Sequence, residues 1–109
     1  MALSNYESNL KTIITAQREC YNGMKVTLMH HNTGRYAYIV SAMWYKSGMK
    51  YHVAKYRANG QFIADTMVDV TLHGATYNNR GGLINIPPTV IKTLNKFHKD
   101  LYNKGVIDK

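Results

Sequence analysis

Two spacings divide the chain. Between Tyr6 and Cys20 the positions Tyr6, Leu10, Ile13, Ile14, Gln17 and Cys20 recur at three and four residues, the repeat of one helical face. Ser4-Asn5-Tyr6-Glu7 precedes them as a capping box, with a hydroxyl at the first position and a carboxylate three residues on. Asn22-Gly23 closes the run with a residue suited to the left-handed region. The pattern predicts a helix over about 4–21, with Cys20 as a small buried apolar residue on its inner face.

From Met24 the period changes to two. Asn32-Thr33-Gly34, Ser47-Gly48 and Asn59-Gly60 interrupt runs rich in Val, Ile, Tyr and Thr, which is the signature of successive hairpins. Four strands follow, over about 24–31, 35–46, 49–58 and 61–71, in an antiparallel meander. Turn length sets register. A two-residue turn at Asn59-Gly60 places Arg57 opposite Phe62 and Val53 opposite Thr66. One at Ser47-Gly48 places Ala42 opposite Val53, and a three-residue turn ending at Gly34 places Val26 opposite Val40. These registers collect Val26, Leu28, Tyr38, Val40, Ala42, Trp44, Tyr51, Val53, Phe62, Val68 and Val70 on one face, which reads as the core. The other face receives Met29, His31, Ile39, Met43, Tyr45, Lys50, His52, Tyr56, Ile63 and Met67, an apolar centre with a basic rim.

Residues 74–82, Gly-Ala-Thr-Tyr-Asn-Asn-Arg-Gly-Gly, read as a loop, and Leu83-Ile84-Asn85-Ile86 as a short extended stretch with room for a fifth strand. Pro88 suits the first turn of a second helix. Val90, Leu94, Phe97 and Leu101 form its apolar stripe, Lys92, Lys96 and Lys99 its outer side, and Gly105 its end, which gives a helix over about 88–104. The expected architecture is a single α+β domain over 1–109: a helix, a four-stranded antiparallel meander sheet and a second helix, in a two-layer sandwich with both helices on the Trp44 face. Helix, strands, helix is similar in element order to the double-stranded-RNA-binding domains. The Lys-Lys-x-Ala-Lys run that opens the second helix in that family is replaced here by Pro87-Pro88-Thr89-Val90-Ile91-Lys92, so the likeness covers order alone.

Composition adds a direction. Fourteen Lys and Arg stand against six Asp and Glu, a formal charge of +8 in 109 residues, and nine Tyr lie among them. Such a field attracts polyanions, and tyrosines interleaved with cations combine base stacking with phosphate neutralisation. Tyr45-Lys46, Lys50-Tyr51 and Lys55-Tyr56-Arg57 supply both. The residues expected to touch nucleic acid are Arg35, Tyr45, Lys46, Lys50, His52, Tyr56 and Arg57, with Arg80 in the loop. The alternative is a protein-binding inhibitor or regulator, of the size and composition of bacteriophage host-takeover and anti-defence proteins. It would dock on an acidic surface of a larger enzyme or form a homodimer, and its interface would be Met29, Ile39, Met43, Ile63 and Met67.

Catalysis finds little material. Asp65 and Asp69 share a strand face about 13 Å apart at ~3.3 Å per residue, too far for a shared metal or an acid–base pair. His30 and His31 are adjacent in a strand and point to opposite faces. Gly81-Gly82 lacks the Gly-Lys-Ser/Thr continuation of a phosphate loop. A non-enzyme without metal or cofactor is expected. One cysteine permits no intrachain disulfide, the first residues hold no apolar signal region, and no run approaches the ~20 apolar residues of a membrane span. The expected location is a bacterial or host cytoplasm, with no membrane partner.

Overall fold

A computed structural model describes residues 2–77 and 84–107. It has the expected α+β order: α1 (Ala2–Arg18), β1 (Met24–Asn32), β2 (Tyr36–Tyr45), β3 (Gly48–Arg57), β4 (Phe62–Thr71), β5 (Gly74–Tyr77) and α2 (Pro88–Asn103). The sheet is an antiparallel meander in the order β1-β2-β3-β4-β5. Residues 74–77, read above as the start of a loop, instead add the fifth strand, with Val70 opposite Ala75 and Asp69 opposite Thr76. Residues 84–87 have no regular structure, yet Ile84 and Ile86 are buried on either side of exposed Asn85, so this stretch plugs the core without joining the sheet.

Both helices cover the same face. Leu10, Ile13 and Ala16 of α1 are buried, as are Val90, Leu94, Phe97, His98 and Leu101 of α2. With Tyr38, Val40, Ala42, Tyr51, Val53, Val68 and Val70 of the sheet, the large apolar side chains among them form one cluster, and half-buried Trp44 packs against its rim. Each fully buried Val or Leu is worth about 1.5–3 kcal/mol, which is why this face excludes polar residues. The exception is a buried pair: the Tyr51 hydroxyl and His98 Nδ1 share a hydrogen bond of 2.8 Å, and burial holds the Tyr51 hydroxyl well above the usual phenol range.

Along most of β3 and β4 the expected register holds, with Val53 opposite Thr66 and Tyr51 opposite Val68; elsewhere the pairing departs from expectation in two different ways. Between β2 and β3 the turn residues are Lys46-Ser47, so Ala42 faces Tyr51 and Val40 faces Val53. A slide of two keeps every side chain on its face. The other two hairpins close with odd slips. Gly34-Arg35 forms a two-residue turn, and a bulge between Thr27 and Met29 absorbs Leu28 as the extra residue. Beyond it Met29 pairs with Val40 and His31 with Tyr38, both on the helix side. Ala58-Asn59-Gly60 forms a three-residue turn with Gly60 at positive φ, and a second bulge absorbs Ile63. Phe62 therefore pairs with Tyr56 on the open side.

The ends of α1 also differ. The helix begins at Ala2, two residues before the expected start at Ser4; Ala2 and Leu3 are good helix formers. At the other end Tyr21 N–H donates to Ala16 O and Cys20 N–H to Gln17 O, a Schellman closure with Cys20 at φ 59°. Cys20 is thus an exposed residue past the helix, not a buried one within it. The α2 end repeats the motif with Gly105 in that position and buried Val106 behind it.

Asp100 ties the helices together. Tyr6 of α1 donates its hydroxyl to the Asp100 carboxylate, and Lys96 Nζ donates to the same Asp100 oxygen at 2.9 Å and lies 4.3 Å from the Tyr6 ring centre. Burial alone would raise the Asp100 carboxyl, but these hydrogen bonds and the Lys96 and Lys104 charges outweigh it and hold it below the usual range. Burial, then the bond to Asp100, pushes the Tyr6 hydroxyl up.

Two predictions follow from these helix ends and ties. Cys20→Gly removes the ~1–2 kcal/mol penalty of a left-handed L residue against a glycine entropy cost of ~0.5–1 kcal/mol, so chemical denaturation will show a gain of about 0.5–1 kcal/mol. A depressed carboxyl stabilises the fold above its unfolded value and ceases to as pH falls through the folded one. Wild type will therefore be more stable than Asp100→Asn at pH 7, and the gap will close as the pH falls below about 4, read from urea midpoints across a pH series.

Candidate nucleic-acid interface

The β1–β2 and β3–β4 turns lie at the same end of the meander. Residues 31–38 and 55–62 meet there, with Tyr36 opposite Arg57 and Tyr38 opposite Lys55. These two segments hold Arg35, Lys55 and Arg57, the aromatic residues Tyr36, Tyr38, Tyr56 and Phe62, and no Asp or Glu. On the helix side, Lys55 Nζ lies 4.1 Å from the Tyr36 ring centre and 5.9 Å from that of Tyr38, and the His31 ring tilts against Tyr38 at 6.2 Å. These contacts hold the lysine head over ring faces, where it is attracted by the π-system. Arg35 and Arg57 are exposed beside it. On the open side, Phe62 is 53% exposed and meets Tyr56 edge to face at 5.6 Å.

The expected site residues are therefore split. Arg35, Tyr56 and Arg57 converge on this hairpin end. Tyr45, Lys46 and Lys50 sit at the opposite end of the sheet, six residues or about 20 Å along the strands. There Lys50 Nζ lies 6.0 Å from the Tyr45 ring centre, the Tyr45 hydroxyl donates to Met43 Sδ at 3.6 Å, and the Lys46 backbone N–H donates to Asn22 Oδ1. His52 stands between the ends and donates from Nε2 to Asp65 Oδ2 at 2.8 Å, a diagonal cross-strand pair. Arg80 lies outside the described residues.

Of the apolar alternative set, Ile39 and Met43 are half-buried on the open face and Met67 is exposed there. Ile63 is the bulge residue, half-buried. Met29 leaves the set, because the Leu28 bulge turns it to the helix side, where it packs against the core. For the same reason His31 and His52 do not share a face. Lys55, expected from the Lys55-Tyr56-Arg57 run, stands at the hairpin end, and Phe62 joins it although the period-two pattern placed it on the core face. The signal for Phe62 was present in Ala58-Asn59-Gly60, which accommodates a three-residue turn as readily as Asn59-Gly60 does a two-residue one.

Among the described residues no three His, Cys, Asp or Glu side chains come together, and no helix is long and apolar enough to cross a membrane. The surface depressions are open. One of about 340 Å³ lies between the β2–β3 turn and the C-terminal segment, lined by Trp44, Met49, His98 and Val106, and another of about 460 Å³ lies along the edge strand beside Asn5, Asn9 and Leu28. The Asn9 amide donates to Thr27 O at 2.8 Å, so α1 covers part of that edge. No protein-family model matches the chain, and no curated protein or solved structure does either.

The bulge assigns Phe62 to solvent, and this can be measured. Phe62→Ser will cost less than about 1 kcal/mol in urea unfolding, whereas Val53→Ala on the opposite face will cost about 2 kcal/mol or more.

Proposed function

We propose that the chain is a small non-catalytic binding protein that contacts nucleic acid through the hairpin end of its sheet. The observation that carries this reading is the segregation of charge and rings: three cations and three accessible aromatic residues, Tyr36, Tyr56 and Phe62, in two adjoining segments without an acid. Cations spaced along two hairpins can meet successive phosphates while exposed rings offer stacking faces. The α2 lysines Lys92, Lys96 and Lys99 are a weaker candidate, since Lys96 is engaged with Asp100 and Tyr6. A single cysteine suits a reducing cytoplasm as the place of action. The second reading, a protein that docks on another protein, is favoured by exposed Met67 and Phe62 on the open sheet face.

Binding of a fluorescent oligonucleotide will weaken steeply with salt, and each lost phosphate contact will lower the slope of log K against log salt by about one. The Arg35→Gln, Arg57→Gln pair will cut affinity at least about tenfold and reduce the slope by about two. Lys46→Gln and Lys99→Gln, away from the hairpin end, will stay within about threefold. Binding indifferent to salt, or lost equally in both sets, overturns the reading.

A further inference from the structure

The open face of the sheet differs from the rest of the molecule in charge. Among the described residues its charged side chains are Lys25 and Lys50 against Asp65 and Asp69, which balance, whereas the chain as a whole carries +8. Neither helix reaches this face. Ile39, Met43 and Tyr56 are half-buried across its centre, Ser41 and Ala54 are buried between them, and Phe62 and Met67 are 53% and 46% exposed. An apolar centre of this kind on a single sheet face marks an interface, and the absence of net positive charge makes it a poor surface for a polyanion.

We propose that this face joins two copies of the chain, sheet to sheet, about a two-fold axis parallel to the strands between β2 and β3. The register dictates the axis. Lys25 pairs with Met43 and Met43 with Lys50, and Asp69, next to the Tyr51–Val68 pair, continues the same row across the sheet. His30, Ile39, Ala54 and Asp65 form a second row. Rotation about that axis lays β1 over the partner's β4 and β2 over the partner's β3. Lys25 then meets the partner's Asp69, His30 meets the partner's Asp65, and the apolar centres close on one another in the aligned packing usual for two sheets. Chains that repel through a charge of +8 can approach most readily through a surface that is neutral and carries both signs. Four strands of about eight residues present about 19 by 26 Å, or about 500 Å² per copy and 1,000 Å² for the pair, near the lower limit for a specific interface. The same axis sets both hairpin ends side by side at one end of the pair.

Sedimentation equilibrium of the full chain at about 100 μM will show a species of twice the chain mass in reversible exchange with monomer, the behaviour of a micromolar association. Met67→Lys, at an exposed position, and Asp69→Lys, which sets two lysines against each other, will each weaken association at least about tenfold. The exchanged pair Lys25→Asp with Asp69→Lys will recover most of what Asp69→Lys loses, a rescue that damage to folding would not produce. Circular dichroism will confirm that each variant is folded. A monomer at that concentration, or a dimer indifferent to these changes, overturns the proposal; a folded monomer leaves the face to an unlike protein. Tyr56 and Phe62 border both surfaces, but the nucleic-acid variants Arg35 and Arg57 lie off the open face, so failure of one reading is distinguishable from failure of the other.

Discussion

The structure depends on one constraint: a single sheet with two short helices can bury only one of its faces. Val40, Ala42, Tyr51, Val53 and Val68 must be covered, and Leu10, Ile13, Val90, Leu94 and Phe97 cover them. The helices reach this face from opposite ends of the chain, so their docking depends on long-range contacts such as Tyr6 with Asp100 and edge to face with Phe97. With both helices on that side, neither covers the other face, and among the described residues its apolar centre stays open.

The same constraint sorts the charge. Cations that flank the buried face collect where helix coverage ends, at the β1–β2 and β3–β4 turns, and the head of Lys55 lies over the Tyr36 and Tyr38 rings. Lysine can occupy such a boundary because its methylenes tolerate apolar contact while its head stays wet. On the open face the two lysines stand on β1 and β3 and both aspartates on β4, so opposite charges are neighbours only across β3 and β4. A chain whose overall charge points to one kind of partner therefore carries two chemically distinct surfaces.

Much of this was legible in the residues, and the failures share a cause. The alternation of Val, Tyr and Thr located four strands and their buried side, and the α2 stripe at Val90, Leu94, Phe97 and Leu101 needed no correction. The slide of two between β2 and β3 was invisible but harmless. Turn lengths at Gly34 and Gly60 were ambiguous by one residue, and period-two reasoning turns that ambiguity into a change of face, which misplaced Met29, His31 and Phe62. Cys20 was misread because helical spacing continues in sequence past the residue where the chain enters the left-handed region. The fifth strand at Gly74–Tyr77 escaped because its glycine and polar residues pair through backbone rather than through an apolar pattern. His52 with Asp65 is a diagonal pair, which strand alternation alone does not single out.

The bulges at Leu28 and Ile63 bear on how this chain would be compared with any relative. Each absorbs one residue so that what lies between it and the turn, Met29 to Asn32 in β1 and Phe62 in β4, presents its other side, while the strands stay paired. A relative lacking one residue near either position would keep the same strands and the same core, yet would exchange Phe62-like or His31-like side chains between the covered and open surfaces. A single-residue gap there, ordinarily dismissed as alignment noise, would report a change of binding surface with no change of fold.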